Sequence, residues 1–283
     1  MILVTGGTGT AGGEIVSQLA ATGTPFRAMV RDVTKAAALK LTGVEVVPGD
    51  LDKPETLPAA LKGIDQVMLV SPPMPRQAEL EGNMVAAAKR AGVRHIVKFS
   101  AMTADPNSKA RFPRLHGITE RAIVESAIAW TFLRPTFFMQ NMLDLAGMVR
   151  GGTIYQPCGD ARAGFVDTAD IAAVAVEALT EPGHEGTAYD ITGPELLSYH
   201  DVARIFSEVL GKPVKYQDVP PAAARDGLLA AGIPEWSADG ILELCDQMRA
   251  GEYARLTTVI EDVGKKEPIS LAAFVREHAD AFR

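Results

Sequence analysis

A histidine and a glutamate stand four residues apart, at His116 and Glu120, within the run Arg-Leu-His-Gly-Ile-Thr-Glu-Arg-Ala-Ile at residues 114–123. If this run is helical, a spacing of four places both side chains on one face, one turn apart. Imidazole titrates near neutral pH and a carboxylate can orient it, so the pair has the elements of a proton-transfer site. A partly solvated pair on a helix surface is the alternative that the spacing leaves open.

A glycine-rich loop, Val-Thr-Gly-Gly-Thr-Gly-Thr-Ala-Gly-Gly at residues 4–13, is the sharpest local motif. Gly6, Gly9 and Gly12 lie between an apolar strand pattern and a helix pattern. In that position glycine permits a tight turn, close approach of a pyrophosphate and contact between helix and strand. Free amides and the positive end of the helix dipole favour a bound phosphate. The motif therefore predicts dinucleotide binding rather than a purely structural glycine turn.

The end of the second predicted strand bears on the choice between the two nicotinamide dinucleotides. It reads Met-Val-Arg-Asp at residues 29–32, with Lys35 following. Arg31 offers planar donors suited to the 2′-phosphate of NADP(H). Asp32 either binds the ribose, which would favour NAD(H), or caps the helix that follows. The sequence favours NADP(H) over NAD(H).

Alternating strand and helix patterns surround these motifs. Apolar segments rich in Val, Ile and Phe predict strands at 2–5, 26–30, 44–47, 66–70, 95–99, 131–133 and 187–192. Amphipathic segments predict helices at 12–22, 53–62 and 78–91, with a capping box at Asp52–Glu55 and later caps at Asp167 and Ser198. The alternation predicts an α/β, Rossmann-type, doubly wound parallel sheet of strand order 3-2-1-4-5-6. We expect residues 1–192 to form the NAD(P)-binding Rossmann domain and residues 193–283 a smaller, mostly helical substrate cap.

Composition and charge argue against several other classes of protein. The chain has 283 residues and a formal net charge of −7, whereas nucleic-acid binding needs a clustered basic surface. No apolar run approaches the length of a membrane helix, and Met-Ile-Leu-Val-Thr at residues 1–5 begins as a strand rather than a targeting segment. Cys158 and Cys245 lack CxxC spacing, so we expect buried inert thiols, without a disulfide or a metal. These features predict a cytoplasmic protein without nucleic-acid or membrane partners.

Taken in order, the motifs make the chain resemble the NmrA-like branch of the atypical short-chain dehydrogenase/reductases. Within that branch it is most similar to NAD(P)H:quinone oxidoreductases and triphenylmethane reductases. The resemblance covers essentially the whole length. It rests on TGGTGTAGG at 5–13, AMVRD at 28–32, GDLDKPETL at 49–57, AAAKRAGVRHIVKFSA at 86–101, TFLRPTFFMQNM at 131–142, FVDTADIAA at 165–173 and EPISLAAFVREHADAF at 267–282.

The resemblance implies roles for matching positions, with Asp50 and Leu51 beside the adenine and Pro135, Thr136 and Phe137 at the nicotinamide. The full set expected to bind the cofactor is Gly6, Thr8, Gly9, Thr10, Ala11, Gly12, Arg31, Lys35, Asp50, Leu51, Ser71, Pro72, Ser100, Pro135, Thr136 and Phe137. The set expected to line the substrate pocket is Met102, His116, Phe138 and Asn141. Other interpretations remain open, because Asp50 can cap a turn, Ser100 can bond the backbone, and the two phenylalanines can be core residues.

At His116 and Glu120 the chain departs from the usual pattern of short-chain dehydrogenases. Short-chain dehydrogenases of the usual type place Tyr-x-x-x-Lys where this chain has His116-Gly-Ile-Thr-Glu120, and a glutamate cannot supply the charge of the lysine. We therefore predict an NAD(P)H-dependent reductase that transfers hydride to a conjugated electrophile such as a quinone or dye. His116 would be an auxiliary catalytic group, oriented by Glu120. The expected substrate is small, flat and apolar, and the expected state is a monomer or homodimer. The alternative is a non-catalytic regulator of the NmrA type that senses NADP(H).

Overall fold

A seven-stranded parallel sheet forms the centre of the protein in a computed structural model that describes residues 1–36, 39 and 44–283. In chain order the strands are β1 (Ile2–Val4), β2 (Phe26–Val30), β3 (Val44–Pro48), β4 (Gln66–Leu69), β5 (His95–Phe99), β6 (Ala129–Pro135), β7 (Thr153–Gln156), β8 (Arg162–Ala163), β9 (Thr187–Ile191), β10 (Leu197–Ser198) and β11 (Lys215–Asp218). The main sheet has the order β3-β2-β1-β4-β5-β6-β9, and all neighbours in it are parallel. This confirms the predicted Rossmann-type order and adds β9 at the edge.

Helices cover both faces of the sheet. They are α1 (Thr10–Ala21), α2 (Leu57–Ala60), α3 (Gln77–Ala91), α4 (Arg111–Ser126), α5 (Ala146–Arg150), α6 (Thr168–Thr180), α7 (Tyr199–Leu210), α8 (Pro221–Ala230), α9 (Glu235–Arg249), α10 (Val259–Asp262), α11 (Leu271–Glu277) and α12 (Ala279–Phe282). Helices α1 and α6 pack on one face, where Ile15, Leu19 and Ile171 are fully buried. Helices α3 and α4 pack on the other face with Met84 and Ile123. Because helices cover both faces of the sheet, side chains on both faces of the strands are buried. This explains why the strands are apolar along most of their length.

Two of the three predicted helix caps are present in the structure, and the third is not. The carboxylate of Asp167 accepts from the amide of Ala169, and Ser198 forms a reciprocal capping box with Asp201. The capping box predicted at Asp52–Glu55 is wrong. Residues 54–56 form a 3-10 turn without a side-chain cap, and only four residues continue as α2. Pro58 removes an amide that a longer helix would use, whereas Pro54 lies in the first turn, where proline is tolerated.

A second hydrophobic core lies beyond the sheet. It combines Met142, Ile154 and Phe165 with residues from the C-terminal region such as Phe206 and Phe274. The region predicted as a cap from residue 193 thus shares its core with residues 139–165. Two short ribbons, β8 with β10 and β7 with β11, join these segments. Both cysteines are buried free thiols in this core.

Within the described residues, no helix is long and apolar enough to span a membrane. Across the same part of the chain, no group of three or more His, Cys, Asp or Glu side chains is arranged to hold a metal ion.

Candidate functional site

The glycine loop between β1 and α1 closes tightly on itself. Gly6 has a φ of +65°, and a Cβ there would lie 2.8 Å from the carbonyl oxygen of Val70, just after β4. A Cβ on Gly12 would lie 2.2 Å from the carbonyl oxygen of Gly6. The amide of Gly9 donates to the same Gly6 oxygen at 3.0 Å. Side chains at Gly6 or Gly12 would therefore force the loop apart.

The first turn of α1 presents amides that the helix itself does not use. Gly13 is the first residue whose amide bonds back into the turn, to the Gly9 oxygen at 2.7 Å. Gly9 is the N-cap and offers no capping side chain, and the first turn carries no acidic residue. Of the loop residues assigned to the cofactor, Gly6 is half-buried, Ala11 and Gly12 are buried, and Thr8, Gly9 and Thr10 are exposed. The loop and helix end thus fit a pyrophosphate.

The end of β2 lies at the same edge of the sheet as the glycine loop. Arg31 is exposed directly after this strand. Asp32 caps the 3-10 turn Val33–Lys35, and its carboxylate accepts from the Thr34 amide at 3.0 Å and the Thr34 hydroxyl at 2.6 Å. These two hydrogen bonds lower the pKa of Asp32. The side chain of Lys35 lies outside the described part of the structure. Asp32 is therefore a cap, one of the two roles that the sequence left open.

Asp50 and Leu51 follow β3 at the same edge of the sheet. The carboxylate of Asp50 accepts from the amide of Asp52 at 3.0 Å, so it caps a turn. Leu51 is half-buried, and its carbonyl oxygen accepts from the side-chain amide of Asn83 on α3 at 2.9 Å. Both residues thus follow the carboxyl end of β3, next to the end of β2.

A buried ion pair lies between β5 and α3. The Nζ of Lys98 is 2.8 Å from Oε1 of Glu81, and neither side chain is exposed. Glu81 also accepts from the hydroxyl of Ser71 at 2.7 Å and from that of Thr119 at 2.7 Å. Ser71, assigned to the cofactor, thus directs its hydroxyl to Glu81, whereas its neighbour Pro72 is exposed.

Neither member of this pair was predicted from the sequence, although both positions carry a signal. Lys98 is the one lysine in the buried strand His95–Phe99. Glu81 lies on the buried stripe of α3, three, four and seven residues before Met84, Val85 and Ala88. A charge on a buried stripe requires a partner, and the topology supplies it from the neighbouring element.

His116, near the start of α4, contacts this pair. Its Nδ1 lies 3.3 Å from the Nζ of Lys98, and the side-chain nitrogen of Gln77 lies 3.4 Å from Nδ1 and 3.5 Å from Nε2. Burial holds the pKa of His116 well below its ordinary value of 6.5, and the cation of Lys98 lowers it further. The imidazole is therefore neutral at pH 7.

Glu120 belongs to a separate network. Its Oε1 accepts from the hydroxyl of Ser100 at 2.6 Å and from Nε of Arg134 at 2.9 Å, and its Oε2 accepts from Nη2 of Arg134 at 2.5 Å. No hydrogen bond or ion pair joins Glu120 to His116, so the prediction that Glu120 orients the imidazole is wrong. The reason is that β6 supplies Arg134, a stronger partner for a carboxylate than a neutral ring. Ser100 is also buried, and its hydroxyl is directed to Glu120.

The chain leaving β6 is held against the second core. Pro135 and Thr136 are buried. The amide of Thr136 donates to the Ile191 oxygen at 3.0 Å, and its hydroxyl donates to the Gly164 oxygen. These bonds fix the backbone at the point where the resemblance places the nicotinamide.

The next two residues, Phe137 and Phe138, pack against other aromatic rings. The half-buried ring of Phe137 lies with its centroid 4.7 Å from that of Tyr253 and 6.1 Å from that of Phe165. Phe138 packs edge-on against Phe99 with centroids 5.9 Å apart. Tyr253 was not found from the sequence, because it lies far along the chain in the C-terminal region.

The remaining substrate-pocket residues lie in different surroundings. Met102 is fully buried in the second core, with its amide donating to the Pro135 oxygen at 2.9 Å, whereas Asn141 is exposed. A cavity of about 480 Å³ opens beside Thr103, between the loop after β5 and α9, and Gln247 is among its lining residues. The Thr103 hydroxyl lies 3.2 Å from that of Tyr253. The other lining residues are mostly charged or polar, among them Asp105, Lys109 and Glu243, and within the described part of the chain no aromatic ring lines the cavity.

Comparison with known proteins shows similarity to one family along almost the whole chain. The family model described as the NmrA-like family matches residues 1–271. An NAD(P)H azoreductase from Xenophilus azovorans is 42% identical over 283 residues, spanning 100% of this chain and 99% of that protein.

Two solved structures carry the cofactor in a matching fold. Triphenylmethane reductase from Citrobacter sp., complexed with NADP(H), has a TM-score of 0.89 at 30% identity and covers 98% of this chain and 99% of its own. The NADPH-dependent quinone oxidoreductase from Escherichia coli, complexed with NADPH, has a TM-score of 0.91 at 28% identity and covers 99% of this chain and 100% of its own.

Proposed function

Because the chain belongs to the NmrA-like family, we propose that it is an NAD(P)H-dependent oxidoreductase that delivers hydride to a quinone or a conjugated dye. Its relatives are named for the reduction of azo compounds, triphenylmethane dyes and quinones. The glycine loop, the first turn of α1 and the ends of the first strands would hold the dinucleotide. When bound, that cofactor supplies the hydride.

The contact between Nδ1 of His116 and Nζ of Lys98, at 3.3 Å, is the observation that carries this proposal, because a cation beside the buried ring disfavours the charged imidazole. Hydride addition to a simple ketone produces a strongly basic alkoxide, which needs a nearby acid at neutral pH. The lowered pKa of His116 leaves no proton to give away readily, and the carboxylate of Glu120 is held by Arg134. Hydride addition to a quinone produces a delocalised anion that water can protonate later. Addition to a cationic dye produces a neutral product. The site therefore suits quinones and dyes better than ketones.

The preference for NADP(H) over NAD(H) is the second part of the proposal. Arg31 is exposed at the end of β2, where its planar donors are available for a 2′-phosphate. The neighbouring carboxylate of Asp32 caps the following turn, accepting both Thr34 hydrogen bonds on Oδ1. The preference for the phosphorylated cofactor therefore rests on Arg31.

The aromatic rings around Phe137 support a small, flat and apolar substrate. The half-buried ring of Phe137 packs against Tyr253 and Phe165, next to the residues that the resemblance assigns to the nicotinamide, and would offer a flat substrate an apolar contact. We further propose that the protein is a monomer or homodimer. The two buried free thiols are in keeping with a reducing, cytoplasmic environment.

The test is the oxidation of NADPH against a quinone, a cationic triphenylmethane dye, an azo dye, an enal and a simple ketone, each with an enzyme-free blank. We expect turnover of the quinone and the dyes and no turnover of the ketone. Brisk reduction of the ketone would contradict the assigned acceptor class. Tight NADPH binding without reduction of any acceptor would favour the alternative of a non-catalytic regulator.

A further inference from the structure

Two free thiols meet in the second hydrophobic core. Cys158 lies in the loop that follows β7, and Cys245 lies on α9. The S–H group of Cys158 donates a hydrogen bond to the sulfur of Cys245. The two sulfur atoms are therefore in direct contact, although the residues are far apart in the chain and their spacing predicted no pairing.

The backbone around both cysteines is held in place by Arg249, one turn beyond Cys245 on α9. Its Nη1 donates to the carbonyl oxygen of Pro157 at 2.9 Å, and its Cζ lies 3.6 Å from the position that a Cβ on Gly159 would take. The amide of Gly159 also donates to Oδ1 of Asp218 at 2.8 Å, and that oxygen lies 3.4 Å from Nη1 of Arg249. Residues four apart share one face of a helix, so the cysteine between Pro157 and Gly159 is held opposite Cys245.

The two thiols have unequal surroundings. Cys158 is 1% exposed, whereas Cys245 is 8% exposed. The hydrogen bond from Cys158 lowers the pKa of the Cys245 thiol against the opposing effect of burial, and the Arg249 guanidinium lowers it further. The same hydrogen bond, together with burial, raises the pKa of Cys158. Because the thiolate is the nucleophilic form, Cys245 is the better attacking group of the pair.

We propose that Cys158 and Cys245 form a redox-active pair that a hydroperoxide oxidises to an intramolecular disulfide, with Cys245 as the attacking thiol and Cys158 as the resolving thiol. Contact between the sulfurs allows the second step to follow the first without a large movement of the backbone. The pair lies outside the proposed cofactor and substrate sites, so this modification is independent of the proposed reductase function.

The reaction is a two-electron oxidation of the dithiol. The Cys245 thiolate attacks one oxygen of hydrogen peroxide, so that an S–O bond forms, the O–O bond breaks and hydroxide leaves. The sulfur of Cys158 then attacks the sulfur of the resulting sulfenic acid, which forms the S–S bond and breaks the S–O bond. The peroxide is reduced to two molecules of water, which carry away both thiol protons.

The disulfide joins α9 to the loop after β7 and closes residues 158–245 into one covalent loop. A bond across so long a loop stabilises the folded state, in the chain-entropy account by restricting the unfolded chain. The same core contains Tyr253, whose ring packs against Phe137. Oxidation therefore restrains the core next to the residues assigned to the nicotinamide, and dithiol reductants reverse it.

Peptide mass mapping of the full-length protein after treatment with hydrogen peroxide tests the pairing. We expect a cross-linked pair of peptides that contain Cys158 and Cys245, with the loss of two hydrogen atoms, and we expect dithiothreitol to restore both thiols. Two free thiols after treatment, or a disulfide between two molecules, would overturn the proposal. The measurement requires neither NADPH nor turnover, so its failure is distinguishable from failure of the proposed function.

Two matched variants test the order of attack. Dimedone, which labels sulfenic acids, should label Cys245 in Cys158→Ala at least about 10-fold faster than it labels Cys158 in Cys245→Ala. Alanine suits the apolar surroundings of both positions, and far-UV circular dichroism checks that each variant is folded. Equal labelling of the two variants, or faster labelling of Cys158, would refute the assignment of Cys245 as the attacking thiol.

Thermal unfolding tests the effect of the bond. Oxidation of the wild-type protein should raise Tm by about 3–10 °C, and dithiothreitol should remove the increase. Cys158→Ala treated with peroxide in the same way is the control for oxidation of methionine, and its Tm should not rise. An unchanged or lowered Tm in the oxidised wild-type protein would contradict the stabilising role of the disulfide.

Discussion

The Nζ of Lys98 lies 2.8 Å from Oε1 of Glu81, and both side chains are completely removed from solvent. The pair joins β5 to α3 near the carboxyl end of β5. Burying two charges is costly, but the hydroxyls of Ser71 and Thr119 donate two further hydrogen bonds to Glu81. The pair is therefore sensitive to the loss of either partner.

Lys98→Met should lower the free energy of unfolding by about 3–5 kcal/mol, because Glu81 is left charged and unpaired in the interior. Lys98→Met/Glu81→Gln should recover most of this loss, since it leaves no buried charge, the amide oxygen still accepts from one of the two hydroxyls of Ser71 and Thr119, and the amide NH₂ donates to the other. Urea denaturation measures both values. Arg283→Ala serves as a control, because its pair with Asp280 is exposed on both sides and its removal should have no measurable effect. A double variant as unstable as the single one would contradict the explanation.

Gly12→Ala should abolish tight NADPH binding. Its Cβ would lie 2.2 Å from the Gly6 oxygen, and the strain should also destabilise the fold by about 1–3 kcal/mol. Gly13→Ala is the matched control, because its Cβ would lie 3.6 Å from the Gly7 oxygen, an ordinary contact. That variant should bind NADPH normally and gain up to about 1 kcal/mol from helix propensity. Calorimetric titration measures NADPH binding by the two variants, and thermal unfolding measures their stability. Normal NADPH binding by Gly12→Ala would refute the assignment of the loop to the cofactor.

Arg31→Ala should weaken NADPH binding by about 10-fold to 100-fold, which corresponds to the loss of about 1.5–3 kcal/mol from a hydrogen bond to a charged group. Binding of NADH should change little, because that cofactor has no 2′-phosphate. Titration of both cofactors into Arg31→Ala, with the exposed Arg90→Ala on α3 as a control, makes the comparison. Equal losses for the two cofactors would rule out the contact.

His116 should make stability depend on pH in a defined direction. Burial and the Lys98 cation lower its folded-state pKa well below 6.5, whereas the unfolded chain takes up a proton near that value. As pH falls below 6.5, only the unfolded state gains the proton, so the folded state loses stability. This residue should contribute up to about 1.4 kcal/mol per pH unit in that range.

His116→Leu tests this dependence by urea denaturation between pH 8 and pH 5. Above pH 7 the difference in unfolding free energy between the two proteins should be constant. Below about pH 6.5 it should shift in favour of the variant. A difference that stays constant across the whole range would mean that the imidazole titrates equally in both states.

The strand order and the glycine loop could be predicted because both depend on local patterns. The limits of β2 and β5 are those expected from their apolar runs, Phe26–Val30 and His95–Phe99. Gly92 ends α3 in the left-handed conformation, with a φ of +76°, as its position after the Ala-rich segment predicts. Each of these features depends on interactions among a few neighbouring residues, so it can be predicted from the sequence.

The partners of charged side chains could not be predicted in the same way. Spacing of four along α4 suggested that His116 and Glu120 act together, yet one contacts Lys98 and Gln77 and the other contacts Ser100 and Arg134. Helical periodicity describes which residues share a face. It does not describe what the opposing strands place against that face.

By itself, the sequence determined a Rossmann-type α/β fold, the position of the glycine loop, and the absence of the usual Tyr and Lys at positions 116 and 120. Only the tertiary structure decided that a lysine from β5 reaches His116 and that its charge is balanced by Glu81 from α3. Apolar periodicity and glycine sterics act over a few residues and are visible in one dimension. Electrostatic pairing acts between elements that the chain brings together from distant positions, so the protonation state of His116 follows from the fold.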